Sequence, residues 1–252
     1  MRLQSAHALA VACLALAACA TPSTTAPVVP ADAESLRIVV APLNLAVRAP
    51  DELVGKGDPV WDELLGYFES ADQQVSVLPP MSAELLWLMA THDLDVGDRT
   101  RALRVACSRF AQELAERADF DLLVLPSLVL RAGRLRGHYA TWDGVHRPVP
   151  NGAVAMSNGM NDVMHGVEVR SVGLRGKVGA ASLHVTVLRP DGSLAYEGLG
   201  GLDLVQEAAH QGTWDGRWVF VERESPFDER RHLREGVALA LERPVTVPAN
   251  AR

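Results

Sequence analysis

The sequence predicts an α/β fold: a mixed β-sheet with flanking helices in a single compact domain. Three observations lead there. Runs of branched residues closed by proline alternate with stretches whose apolar residues recur at helical spacing, in the order strand, helix, strand, helices, strand, antiparallel strands, helix. With 252 residues, 48% hydrophobic and 22% charged, the chain can bury a sizeable core and is too apolar to stay disordered. Apart from the N-terminus, no uncharged apolar stretch approaches the roughly 20 residues that a membrane-crossing helix needs.

The N-terminus reads as a signal. Arg2 supplies a short positive segment, Ala8 to Leu16 an apolar stretch of signal-peptide length, and Leu16-Ala17-Ala18-Cys19 follows at once. That ending resembles the bacterial lipobox, in which small residues fit the lipoprotein signal peptidase and the cysteine thiol first receives a diacylglyceryl group. The resemblance implies removal of residues 1–18 and lipidation of Cys19, whereas an ordinary secretory signal would also accept Ala17 and Ala18. Acyl chains at about 0.8 kcal/mol per buried CH₂ would hold the protein on a membrane. Ala20, where an aspartate would retain a Gram-negative lipoprotein at the inner membrane, favours the periplasmic face of the outer membrane. Cys13 leaves with the signal and Cys19 is consumed by lipid, so Cys107 is the one free thiol expected and no internal disulfide can form. Residues 19–35 carry three prolines and form a tether of roughly 50 Å when extended, at about 3.3 Å per residue.

The globular domain is expected over residues 36–248. Leu36 to Ala41, ended by Pro42, suits a buried strand. Asp58 and Pro59 look like the N-cap and first position of a helix with Trp61, Leu64, Leu65 and Phe68 inward. Val75 to Leu78 is a second strand, stopped by Pro79 and Pro80. Met81 to Met89 reads as a short apolar helix, and Asp98 can cap a longer one, Arg99 to about Ala118. On the latter, Leu103, Cys107, Phe110, Leu114 and Ala118 share a face, which makes Cys107 a core residue rather than a nucleophile. Leu122 to Ala132 is the strongest strand, with Pro126 arguing for an edge, a bulge or a break. Gly137 to Gly166, rich in glycine, asparagine and proline, reads as a long loop excursion. Val167 to Arg189 and Ser193 to Val205 form a hairpin about Pro190-Asp191-Gly192. Ser225-Pro226-Phe227-Asp228 resembles a helix start, with Leu233, Val237, Ala240 and Leu241 as the stripe and Pro244 as the stop.

Three segments carry a family likeness: Arg37-Ile38-Val39-Val40-Ala41-Pro42-Leu43, Ala118-Asp119-Phe120-Asp121-Leu122-Leu123-Val124 and Leu188-Arg189-Pro190-Asp191-Gly192-Ser193. Together with the element order they resemble the TolB amino-terminal domain and its relatives, among them the curli-secretion lipoprotein and lipoprotein activators of penicillin-binding proteins. The likeness spans roughly Leu36 to Pro244 and implies an α/β envelope domain; Gly137 to Gly166 has no counterpart in it.

No catalytic pattern stands out. The chain lacks a G-x-S-x-G elbow, an H-E-x-x-H helix, a C-x-x-C pair and a P-loop. Gly198-Leu199-Gly200-Gly201 lies in a strand, where a bulge or bend is expected. Asp93, Asp95 and Asp98 could face a hard cation but lack calcium-loop spacing and fit a solvated turn better. His138, His146 and His165 could converge on zinc only if their loop folded back, and Asp203, Glu207 and His210 sit at a strand end where charge is ordinary. Neither a metal nor a cofactor is therefore expected.

One internal echo remains: Thr141-Trp142-Asp143-Gly144 recurs as Thr213-Trp214-Asp215-Gly216. Exposed tryptophans are frequent binding hot spots, so Trp142, Asp143, Trp214, Asp215 and nearby Trp218 are the candidate partner-binding residues; otherwise the rings cover the ends of the sheet. A formal net charge of −7 argues against nucleic acid. The reading is a non-enzymatic interaction or assembly module, anchored by lipid and meeting an envelope protein or a glycan. A hydrolase or transferase acting on cell-wall glycan, which needs convergent carboxylates, is one alternative. A secretion-pore subunit, which needs membrane-length alternating strands, is another.

Overall fold

Proline punctuation and strand alternation build the scaffold. The structure, a computed structural model, describes residues 35–94, 97–153, 163–164, 167–170, 173–211 and 217–244. In β1 (Arg37–Val40) the side chains alternate, sending Ile38 and Val40 to one face of the sheet and Val39, with Ala41 beyond it, to the other. α1 (Asp58–Ser70) returns over the first face and buries Val60, Leu64 and Phe68, while Trp61 and Leu65 are half-buried. Gly57 occupies the cap position, so Asp58 begins the helix and lends its charge to the N-terminus without a capping hydrogen bond.

β2 (Gln74–Val77) runs parallel to β1 at the sheet edge, with Val75 beside Ile38. α2 (Pro80–Thr91) and α3 (Arg99–Ala115) cover the second face, where Leu86 and Ala90 join Phe110, Ala111 and Leu114. Asp98 caps α3 as its sequence indicates, accepting from the backbone N–H groups of Thr100 and Arg101 at 3.0 and 3.1 Å.

β3 (Leu122–Gly137) pairs in parallel with β1 over its first three residues and continues for 16 in all, with Pro126 inside it and no break. Val124 and Pro126 turn their carbonyls to the β1 side, accepting from the N–H groups of Ala41 and Asn44. The missing N–H of Pro126 thus faces a side on which β1 has already ended.

The expected loop at 137–166 opens instead as an antiparallel hairpin. β4 (Tyr139–Trp142) pairs with the end of β3 and with β5 (Val145–Pro148). Asp143 and Gly144 make the two-residue turn at φ 34° and 85°, the left-handed conformations that Asp-Gly tolerates. Ala140, Trp142, Val145 and Arg147 are buried in alternation, and a charged residue at an inward position concealed the pattern.

β6 (Val163–Met164) and β7 (Val167–Arg170) precede β8 (Gly173–Leu188), which pairs with β3 from Leu123 opposite Leu188 to Gly137 opposite Leu174. β9 (Leu194–Leu204) returns after the expected turn, in which Asp191 accepts from the Ser193 N–H and Gly192 holds φ 79°. β10 (Gln206–Gln211) and β11 (Arg217–Glu222) form a separate two-stranded sheet. α4 (Arg230–Glu242) buries Leu233, Val237, Ala240 and Leu241, the stripe read from sequence, but starts later than Ser225 to Asp228 suggested. Phe227 of that segment enters the core instead.

The large sheet has the order β2-β1-β3-β8-β7-β6, with β4 and β5 beside β3 and β9 beside β8. Parallel strands occupy one end and antiparallel strands the rest. α1 and α4 lie on one face, α2 and α3 on the other, giving an α/β domain with a mixed sheet in one compact unit.

Candidate functional site

Where β1 and β2 end, the chain must cross from the sheet to the helices, and Pro42 and Pro79 stop further pairing. In open α/β sheets this carboxyl end of parallel strands is the usual place for a binding crevice. Asn44, at φ 64°, holds the crossing loop. Its backbone N–H donates to Pro126 O, its side-chain amide donates to Leu128 O and Val47 O, and its Oδ1 accepts from Leu128 N–H. Two hollows flank the loop: one of about 430 Å³ on the α1 side against Leu53, Val54, Trp61 and Val77, the other of about 360 Å³ on the α2 side against Leu45, Trp87 and Leu88. Pro42, Leu43, Asn44 and Pro80 belong to both, so they form one apolar cleft.

α2 continues this surface. Its inward positions are Ala83, Leu86 and Ala90, yet the outward ones are also apolar: Met81 is 84% exposed, Leu88 67% and Leu85 64%, with Met89 beside them. Glu84 is the one charged residue among the twelve of the helix. Val54 and Val77 extend the patch into the cleft. Of eight large apolar side chains exposed among the described residues, four lie on α2, and two, Val54 and Val77, line the cleft. Among the described residues, α3 packs on the Ala83, Leu86 and Ala90 side of α2, and Met81, Leu85 and Leu88 are left exposed, where an apolar helix face is ordinarily buried.

The residues singled out from the sequence fall elsewhere. Trp142 is buried at 7% exposure and its indole N–H donates to Ala181 O at 3.1 Å, so it packs and cannot be the exposed aromatic expected of a docking site. Asp143 is held by Arg131 at 2.8 Å and by the Ser182 hydroxyl at 2.6 Å. Trp214 and Asp215 lie outside the described residues, as do the side chain of Trp218 and the whole of the N-terminal segment with Cys19. His138 and His146 each lie against the Tyr139 ring, at 4.2 and 4.5 Å between centroids, and His165 is outside the described residues. Among the described residues no group of three or more His, Cys, Asp or Glu side chains could hold a metal ion.

Two clusters were not legible in advance. Cys107, His184 and Glu197 line a hollow of about 260 Å³ between α3 and the β8–β9 hairpin. His184 Nε2 lies 2.9 Å from Glu197 Oε1, which holds that carboxylate below its usual range despite partial burial. Burial, then the charge of Glu197, pushes the Cys107 thiol up to about 12, so it carries no thiolate at neutral pH. The second cluster ties elements together: Asp203, 4% exposed, meets His232 at 2.9 Å and Arg223 at 3.3 Å, and buried Arg147 meets Glu235 at 2.7 Å. Each of these charges has a partner within the fold. The α2 face was better advertised, by a run from Leu85 to Met89 with no polar position at all.

No helix among the described residues is long and apolar enough to cross a membrane. No family model, curated protein or solved structure matches the chain.

Proposed function

We propose that this chain is a lipid-anchored envelope protein, acylated at Cys19 and held on the periplasmic face of the outer membrane, whose α/β domain is a non-enzymatic module that docks a protein on its α2 edge. The observation that carries the docking is the exposure of Met81, Leu85, Leu88 and Met89 on α2, next to a cleft that Leu88, Val54 and Val77 line. Together they expose on the order of 500 Å² of apolar surface, at the upper end of what a monomer leaves in water. At about 25 cal/mol per Å², covering it is worth roughly 12 kcal/mol before the cost of association. The anchor rests on the n-region, the apolar stretch and Leu16-Ala17-Ala18-Cys19. The resemblance to TolB-like envelope domains agrees with that placement.

Both parts are testable in cells. A fatty-acid analogue labels the wild type and leaves Cys19→Ser unlabelled; equal labelling of the two, or none of the wild type, refutes the anchor. A photo-crosslinking residue in place of Leu88 yields a protein adduct that the same residue at exposed Arg136 does not. Absence of any adduct specific to Leu88 removes the docking reading.

A further inference from the structure

The occupant of the α2 edge follows from β2, the strand that leads into α2. β2 is the last strand on its side of the sheet and pairs only with β1 among the described residues. Gln74 N–H donates to Leu36 O and Leu78 N–H to Val40 O, so these alternate positions face β1, and Val75 and Val77 direct their backbone groups outward. Proteins usually blunt such an edge by keeping the strand short, as the four residues of β2 are, and also with lysine, proline, a bulge or a cover. Gln74-Val75-Ser76-Val77 has no charge and no proline, and Val77 is 45% exposed.

We infer that the partner is a second copy of this chain, joined about a two-fold axis by antiparallel pairing of β2 with its mate and by packing of α2 against α2. The inference rests on the α2 edge being a docking face. A free strand pairs with its own copy without needing any second sequence, and an isologous contact closes at two subunits. The area agrees: a stable interface buries about 800 Å² per partner, of which about 60% is apolar, close to the roughly 500 Å² exposed here. Charge argues against the competing occupant, a bilayer. Helices that lie on anionic membranes carry lysine and arginine on their polar face, whereas α2 has none and bears Glu84.

The test uses the full chain in its own envelope. Ser76→Cys, treated with a short bismaleimide, gives a product of doubled mass, and Arg136→Cys gives none. Adding Leu85→Glu and Leu88→Glu to Ser76→Cys lowers the doubled product about tenfold or more, and the purified variant keeps the wild-type circular dichroism spectrum because both side chains are exposed. Val77→Pro, which removes an outward N–H and spares the bonds to β1, does the same. No doubled product from Ser76→Cys, or one that survives these changes, overturns the dimer. Should Leu88 crosslink a different protein while Ser76→Cys stays single, self-pairing falls and the docking face stands.

Discussion

Asn44 does with one residue what a longer β1 would have done with three. Its backbone and side-chain amide continue the hydrogen bonding along β3 past Pro126, so the chain can leave the sheet without orphaning Leu128. Polar side chains elsewhere are held as tightly, and one pair gives a pH signature. Glu197 is depressed first by its hydrogen bond from His184, against burial, and then by the nearby charges of His184 and Arg104. A carboxylate whose folded value lies below its unfolded one stabilises the fold above the ordinary value of 4.5, and that stability is lost as pH falls through the folded value. His184→Leu removes the donor and with it the largest cause, so its melting temperature depends less steeply on pH below about 4.5 than the wild type's. Thermal melts between pH 6 and about 3 check this, and parallel curves would show that the pair does not titrate with folding.

At the scale of elements, α4 lies almost directly on the backbone of β9. A Cβ built on Gly200 would sit 2.0 Å from the carbonyl oxygen of Gly236 and 2.7 Å from the Ala240 nitrogen. Those are backbone atoms of a helix, which can yield only by lifting away from the sheet. Gly200→Ala therefore exceeds the usual overpacking cost of about 1–3 kcal/mol and lowers the melting temperature by about 5 °C or more. A drop under about 2 °C would mean that α4 floats freely. The glycine run was legible as a place needing glycine, but its reason was not, since the approaching helix lies some forty residues on. Elements specified by local chemistry could be read: the Asp98 cap, the Pro190-Asp191-Gly192 turn, and the α4 stripe. The β4–β5 hairpin could not, because Arg147 occupies a core-facing position that alternation reserves for apolar residues. Nor could the burial of Trp142, whose indole partner is the carbonyl of Ala181 on β8.

For the whole molecule, the element order was enough to read an α/β class, because that order constrains which layers can form. The site was not legible, because exposure depends on which faces other elements leave uncovered. The same non-local logic explains how the far end of the sheet stays attached. β3 and β8 run on beyond the helical layers as a long ribbon, and β4 and β5 fold back from it toward β9 and α4. Trp142 and Val145 supply the apolar part of that contact, and Arg147 the polar part: Nε to Leu202 O at 3.4 Å, and the terminal nitrogens to Glu235 at 2.7 Å and His232 O at 3.5 Å. Truncating Arg147 removes its hydrogen bonds to Leu202 O, His232 O and Glu235 and leaves a gap in a buried site, for which about 2–5 kcal/mol is the typical cost. Methionine keeps the volume, and the Glu235 side chain, 47% exposed, can turn to water, so Arg147→Met costs about 1–2 kcal/mol. Urea denaturation separates the two variants. Hydrogen exchange locates the loss, which falls on residues 139–149 in Arg147→Ala while β1 and the first half of β3 keep their protection. If Arg147→Ala costs less than about 1 kcal/mol, or if protection falls evenly along β3, the arginine is a spectator and Trp142 alone holds the hairpin down.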